Sequence, residues 1–278
     1  MWFPLALLSA VLYACMWLFA RGSRGMPTAF VTAAASMWAP PMLVWTLFNV
    51  DYPWGDPLWQ RYLVLPFFLI PITLLGLTLA GQRTEVSIIK PLSALSTVAA
   101  LCASVLLFGA EFRLAHTIGI AVITVGLLLL YHGRWESWRT PWPWIAFVGV
   151  LVLGANAAVA REVLVIFREP LALITLAATG SFCVNGALAI RERRVIKIAS
   201  RDVVFLFAFA ATNLAQDLLT FTALTMGPAP HVIAVKRTSI LFAAFMSYFI
   251  FRDRDQPLWR LMAASGVVVI GVACLSLG

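Results

Sequence analysis

The chain has 278 residues, of which 62% are hydrophobic and only 12% charged, with a mean hydropathy of +0.93. A soluble domain carries about twice that share of charge, near 25%, so the solvent for most of this chain is lipid. A span takes about 20 residues, and roughly ten fit this length with short connections. That excludes a sizeable extramembrane domain, and the net charge of +8 therefore has no exposed basic domain through which to bind nucleic acid.

Apolar runs broken by charge, Pro and Gly predict ten helices, at about 2–20, 27–50, 61–80, 86–108, 114–131, 142–160, 170–190, 203–226, 232–251 and 258–277. The first run has no basic segment before it, and Trp17 and Phe19 stand where a cleavage site needs small residues, so it reads as a retained helix. Trp54, Trp59, Trp135, Trp138, Trp142, Trp144 and Trp259 fall at run boundaries, as an aromatic belt requires. Cys15, Cys102, Cys183 and Cys274 lie inside apolar runs without CxxC spacing and read as small buried hydrophobes. His116 and His132 flank the fifth run and His231 opens the ninth, with no Cys or carboxylate cluster beside them, so neither a metal nor another cofactor is expected. No GxxxxGK[ST] segment is present to couple the chain to ATP.

The chain contains an internal repeat. Residues 86–95, VSIIKPLSAL, align with 232–241, VIAVKRTSIL, which puts Lys90 on Lys236, Ser93 on Ser239 and Gly81 on Gly227. IGIAVITVGLLLL (118–130) aligns with AASGVVVIGVACL (263–275), Gly126 on Gly271, and ACMWLFAR (14–21) with GANAAVAR (154–161). Two homologous halves follow, 1–133 and 134–278. Because each holds an odd number of helices, the second enters the membrane in the opposite sense, an inverted repeat of the kind used by alternating-access carriers. Gly81, Gly126, Gly186 and Gly271 read as close-packing positions.

Three cations lie within these runs, and an ionisable group at membrane depth marks a functional site by default. Lys90 and Lys236 each sit about five residues inside their helices, roughly 7–8 Å deep at 1.5 Å per residue, and long lysine stems let their ammonium groups converge from opposite faces. Arg237 adds a planar fork suited to an oxyanion. Pro91 fits a bent first turn that frees backbone groups toward a cavity. Snorkelling to headgroups is the alternative for either lysine. In the eighth run Asn213, Gln216 and Asp217 share a face at i, i+3 and i+4, and Asp217 can pair with Lys236 or Arg237 or exchange a proton. Asn156 and Asn185 fit interhelical hydrogen bonds better than substrate binding. Glu85 and its repeat partner His231 are candidates for a gate.

A ten-helix chain of this length, with five-helix halves, a Gly-rich fifth helix and a Pro-marked fourth, resembles the drug/metabolite transporter superfamily in its EamA-like branch. Over the whole chain, the resemblance implies a multi-pass carrier and not an enzyme. A narrower likeness is to the plastid triose-phosphate translocators, distant members that hold phosphate with a Lys on the fourth helix and a Lys-Arg pair on the ninth. The residues here are Lys90, Lys236 and Arg237.

Counting Arg61 and Arg260 at the very starts of their runs with the loops they adjoin, connections after odd-numbered helices hold 13 Lys/Arg and those after even-numbered helices hold 4. The basic run RERRVIKIASR (191–201) dominates the first group. The positive-inside rule then places it in the cytoplasm and both termini outside. The sequence therefore predicts an all-α inner-membrane protein, monomer or homodimer, that binds membrane lipid and carries a small organic anion, preferably phosphorylated. Lys90, Lys236, Arg237, Asn213, Ser93 and Ser239 are its expected binding residues and Asp217 its proton site or ion-pair partner. A proton-coupled exporter of amino acids or amphipathic drugs is the alternative; a flippase for a phosphate-bearing lipid is a third reading.

Overall fold

The computed structural model describes residues 2–22, 26–57, 59–60, 69–83, 92–131, 139–192, 200–250 and 258–277. Glu85, Lys90, Pro91, His132, Trp135, Trp138 and most of the run 191–201 lie outside them. Every regular element among the described residues is α-helical: α1 (Trp2–Gly22), α2 (Thr28–Ala35), α3 (Ala39–Asn49), α4 (Ile70–Arg83), α5 (Leu95–Phe108), α6 (Leu114–Tyr131), α7 (Pro141–Phe167), α8 (Pro170–Glu192), α9 (Ser200–Met226), α10 (Ala229–Arg237), α11 (Ser239–Ile250) and α12 (Leu258–Leu277). Among the described residues, four stretches are long and apolar enough to cross a membrane: Thr28–Asn49, Pro141–Phe167, Pro170–Arg191 and Asp202–Met226.

These helices fall within the predicted apolar runs, with instructive departures. The run 27–50 is broken at Ser36–Trp38, where backbone bonds close over three residues instead of four. Pro40 and Pro41, which have no N–H, withhold the donors that would continue the ladder. The run 232–251 begins earlier, behind Pro228 and with Pro at its first turn. It breaks at Thr238, whose Oγ1 donates to the Val235 carbonyl at 2.8 Å and competes with the helix for it. Residues 93–94 form a similar turn ahead of α5, with Ser96 N–H bonded to the Ser93 carbonyl at 3.1 Å. Short three-residue turns inside long helices are where such helices hinge. The run 142–160 continues to Phe167 because Arg161 and Glu162, which end the apolar stretch, are good helix formers. It stops at Arg168, left-handed with φ 54.

Lipid tails are as apolar as leucine, so helices here associate through close packing and interhelical hydrogen bonds and not through the hydrophobic effect. α1 lies on α9, α4 on α7, α5 on α7, α10 and α11 on α1, the α2–α3 pair on α8, and α6 on α12. Matching the first run to the sixth and so on, exchange of the halves turns the α1–α9 pair into α7–α4 and the α5–α7 pair into α10–α1. The other two pairs map onto themselves. The glycine contacts between α6 and α12 are reciprocal. A Cβ at Gly126 would stand 2.9 Å from the Val268 nitrogen and 3.3 Å from the Ala264 oxygen. One at Gly271 would stand 2.6 Å from the Ile123 nitrogen and 2.9 Å from the Gly119 oxygen. Residues 119, 123 and 126 thus meet 264, 268 and 271 reciprocally.

Three sequence expectations are corrected. Gly186 is not a close-packing position: a Cβ there meets nothing within 4 Å, since composition does not say which face of α8 is covered. Cys102 and Cys183 are exposed and Cys15 and Cys274 partly so; a thiol facing lipid has no need of burial. Trp59 is not a lipid-facing anchor, being only 2% exposed. It packs at 4.8 Å on the Phe167 ring, and Tyr52 packs at 5.3 Å on the same ring.

Candidate functional site

A central cavity of about 140 Å³ lies among α1, α2, α4, α7, α8, α9 and α10. Most of its wall is apolar, including Ile70, Leu74, Leu77, Leu153, Leu173 and Ile174. The polar part is built by α9 and α10. Asn213, Gln216, Asp217 and Thr220 line it from α9 and Lys236 and Arg237 from α10, joined by Asn156 of α7 and Thr32, Ser36 and Thr78 on the facing side.

Lys236 is 8% and Arg237 4% exposed, so neither cation reaches water along its stem. Both stack on Tyr13 of α1: the Lys236 Nζ stands 4.8 Å and the Arg237 Cζ 5.5 Å from the ring centroid. Such contacts are worth about 2 kcal/mol when desolvated. Arg237 also donates to the Tyr13 hydroxyl, but its Nε and Nη1 have no hydrogen-bond partner. Buried polar groups are nearly always paired, and a guanidinium with two free donors beside a cavity is suited to an incoming oxyanion.

Across the cavity the α9 groups hold one another. Gln216 Nε2 donates to the Asp217 carboxylate and lies 3.5 Å from Asn213 Oδ1. Asp217 interacts electrostatically with Lys236; the ion pairs Arg113–Glu111 and Arg161–Glu162 lie elsewhere. The wall is anchored to α1, where Ser9 Oγ donates to the Gln216 carbonyl at 3.0 Å and shares a 2.7 Å bond with Thr220 Oγ1. Ser9 and Tyr13 are four residues apart on one helix face, so the same helix that locks α9 also carries the ring under the cations.

The structure thus brings Asn213, Asp217, Lys236 and Arg237 to one cavity. Ser93 and Ser239 are buried with unpaired hydroxyls, but they do not line it. His231 lies against Trp2, ring centroids 6.3 Å apart, at another cavity. Lys90 and Glu85 fall outside the described residues. Asn185 is fully buried and bridges helices, donating to Ser181 at 3.1 Å and to the Pro71 carbonyl at 3.4 Å. Asn156 lines the cavity with its Oδ1 unpaired. Sequence reading missed Tyr13. Its only signal was a hydroxyl-bearing ring midway along an otherwise apolar first run.

An all-helical, apolar bundle around a cavity walled by buried charge has the build of a membrane transporter. The model of the EamA-like transporter family matches residues 1–132, a little under half of the chain, in keeping with the sequence resemblance to the drug/metabolite transporter superfamily. No curated protein matches. Among solved structures, 25 chains match. One, described only as the crystal structure of a protein, is 14% identical and superposes with a TM-score of 0.72 over 99% of this chain and 98% of its own. That likeness is one of fold alone.

Proposed function

We propose that this protein is a secondary transporter that moves a small organic anion across the inner membrane by alternating access. Its ten spans form two inverted five-helix repeats, 1–133 and 134–278. The reciprocal contacts of α6 and α12 and the exchangeable packing pairs support the repeat. The turns at 93–94 and Thr238, at nearly equivalent places in the two halves, supply the hinges. One observation carries the anion: Lys236 and Arg237 are buried together on the cavity, with Arg237 Nε and Nη1 unpaired. Lys90, at the repeat-equivalent position of Lys236, is the third cation of the site. The mostly apolar wall favours an anion with a hydrocarbon body over a bare phosphate.

A second reading rests on Asp217, which lines the same cavity close to Lys236. A carboxylate there accepts a proton or a substrate ammonium, as a proton-coupled exporter of amino acids or amphipathic drugs requires. A thermal-stabilisation screen of purified protein separates the readings. Phosphorylated metabolites and carboxylates without an amine should stabilise the anion carrier; stabilisation only by amines or amino acids favours the exporter, and only by phosphate-bearing lipids the flippase.

A further inference from the structure

α7 has a second functional face. Asn156, Ala157 and Ala160 look into the central cavity, whereas Ala158, Arg161 and Glu162 line another, of about 710 Å³, between α5, α6, α7 and the start of α10. Glu111 and Arg113 of the α5–α6 connection, His116 and His231 complete its polar lining. None of these groups belongs to the central site.

The pairing inside this cavity is incomplete. Glu111 and Arg113 satisfy each other at 2.8 Å and are largely exposed. Arg161 and Glu162 are more covered, and their 3.6 Å separation is too long for a hydrogen bond, so each retains bonding capacity. His116 is 6% exposed, and its Nδ1 accepts the Arg113 backbone N–H at 3.0 Å. In the neutral ring the proton then sits on Nε2, which makes His116 a donor and unfits it as a metal ligand there. His231 Nδ1 is buried with no partner. The cavity therefore offers donors for an oxyanion and, beside them, a carboxylate for a cation, with two guanidinium groups balancing two carboxylates. That is the complement of a zwitterion.

The surroundings say which kind. The helix ends next to the cavity carry Leu106, Leu107, Phe112 and Leu114, exposed by 82%, 59%, 54% and 76%, an apolar flank at the level where α5 gives way to α6. A ligand seated beside it presents hydrocarbon on one side and a charged head on the other. We propose that this cavity binds the headgroup of an ethanolamine phospholipid, its phosphate on Arg161 and the His116 Nε2–H and its ammonium on Glu162. A primary ammonium can donate to Glu162, which a quaternary one cannot. Occupancy bridges α6 and α7, and α7 also walls the central cavity.

The test uses delipidated full-length protein titrated with phosphatidylethanolamine, phosphatidylglycerol or phosphatidylcholine, read by native mass spectrometry and thermal shift. Phosphatidylethanolamine should bind about tenfold tighter than either competitor, a factor of ten being 1.4 kcal/mol. Arg161→Gln and Glu162→Gln should each remove that preference, and Glu162→Lys should shift it to phosphatidylglycerol. Equal retention of all three lipids by the native protein overturns the proposal and needs no variant. So does an unchanged preference in variants with native elution profiles. Soluble glycerophosphoethanolamine distinguishes the source: binding of it without binding of the lipid overturns the lipid assignment, whereas binding of the lipid tenfold or more tightly supports it.

Discussion

The α6–α12 seam and the α9–α10 wall are built on opposite principles. In the seam, two glycines let backbones approach until a single added carbon would overlap the neighbouring helix, and the contacts recur reciprocally along it. In the wall, four polar side chains of α9 face two cations of α10, and several of their atoms lack partners. Between helices in lipid, van der Waals contact is the main cohesion available, so the seam spends every position on it. The wall forgoes contact around a cavity. Close packing is concentrated in the first region and unpaired polar capacity in the second.

The largest effect follows from breaking the seam. Gly271→Leu or Gly126→Leu places a branched side chain against backbone that cannot yield. Overpacking alone costs about 1–3 kcal/mol, and here the two helices must also separate. Little folded protein should be recovered in detergent, as read by size-exclusion profile. Gly186→Ala is the control, because its Cβ meets nothing within 4 Å; it should melt at or above the parent temperature, since Ala exceeds Gly in helix propensity by about 1 kcal/mol. A normal Gly271→Leu protein would show that the seam is not where cohesion resides.

Changes in the wall should spare folding and act on binding. Lys236→Gln and Arg237→Gln should each weaken the identified anion by about 1.5–3 kcal/mol, the range for a hydrogen bond to a charged group. Arg237→Lys should lose part of this, keeping charge but not the fork. Calorimetry on folded variants decides, and unchanged affinity in all three would dispose of the anion site. Asp217→Asn separates the coupling readings: a proton-coupled carrier should lose pH-driven accumulation in proteoliposomes while retaining exchange, and a structural partner of Lys236 should instead lose folded protein.

The seam was more legible than the wall, for a physical reason. Gly126 and Gly271 stand out because repeat alignment superposes them, and small residues in apolar helices have few uses besides close approach. The cations and Asp217 were legible because charge is costly in lipid. Which serines would join them at the cavity was not. Ser93 and Ser239 follow the repeat as faithfully as any pair, yet neither lines the central cavity, since register along a helix does not fix which face a kink will present. The break at Thr238 comes from a side-chain hydrogen bond to Val235, and propensity gives no warning of it. Gly186 misled for the converse reason: a small residue also serves where nothing packs.

Tyr13 gives the smallest and most discriminating prediction. Its ring lies under both cations and its hydroxyl accepts from Arg237, so the two contributions can be removed separately. Tyr13→Phe deletes the hydrogen bond and keeps the ring. With the Arg237 guanidinium no longer held in place by that bond, affinity for the anion should fall by about 0.5–1.5 kcal/mol, the net worth of one hydrogen bond. Tyr13→Leu deletes the ring as well, adding about 0.5–2 kcal/mol of lost cation–π attraction, and should let both side chains reorient. If Tyr13 positions the cations, Tyr13→Leu combined with Arg237→Gln should cost less than the sum of the two changes, because an Arg237 already absent cannot be mispositioned. Strict additivity in that cycle, measured by calorimetry, would mean that ring and guanidinium act independently and that Tyr13 merely packs.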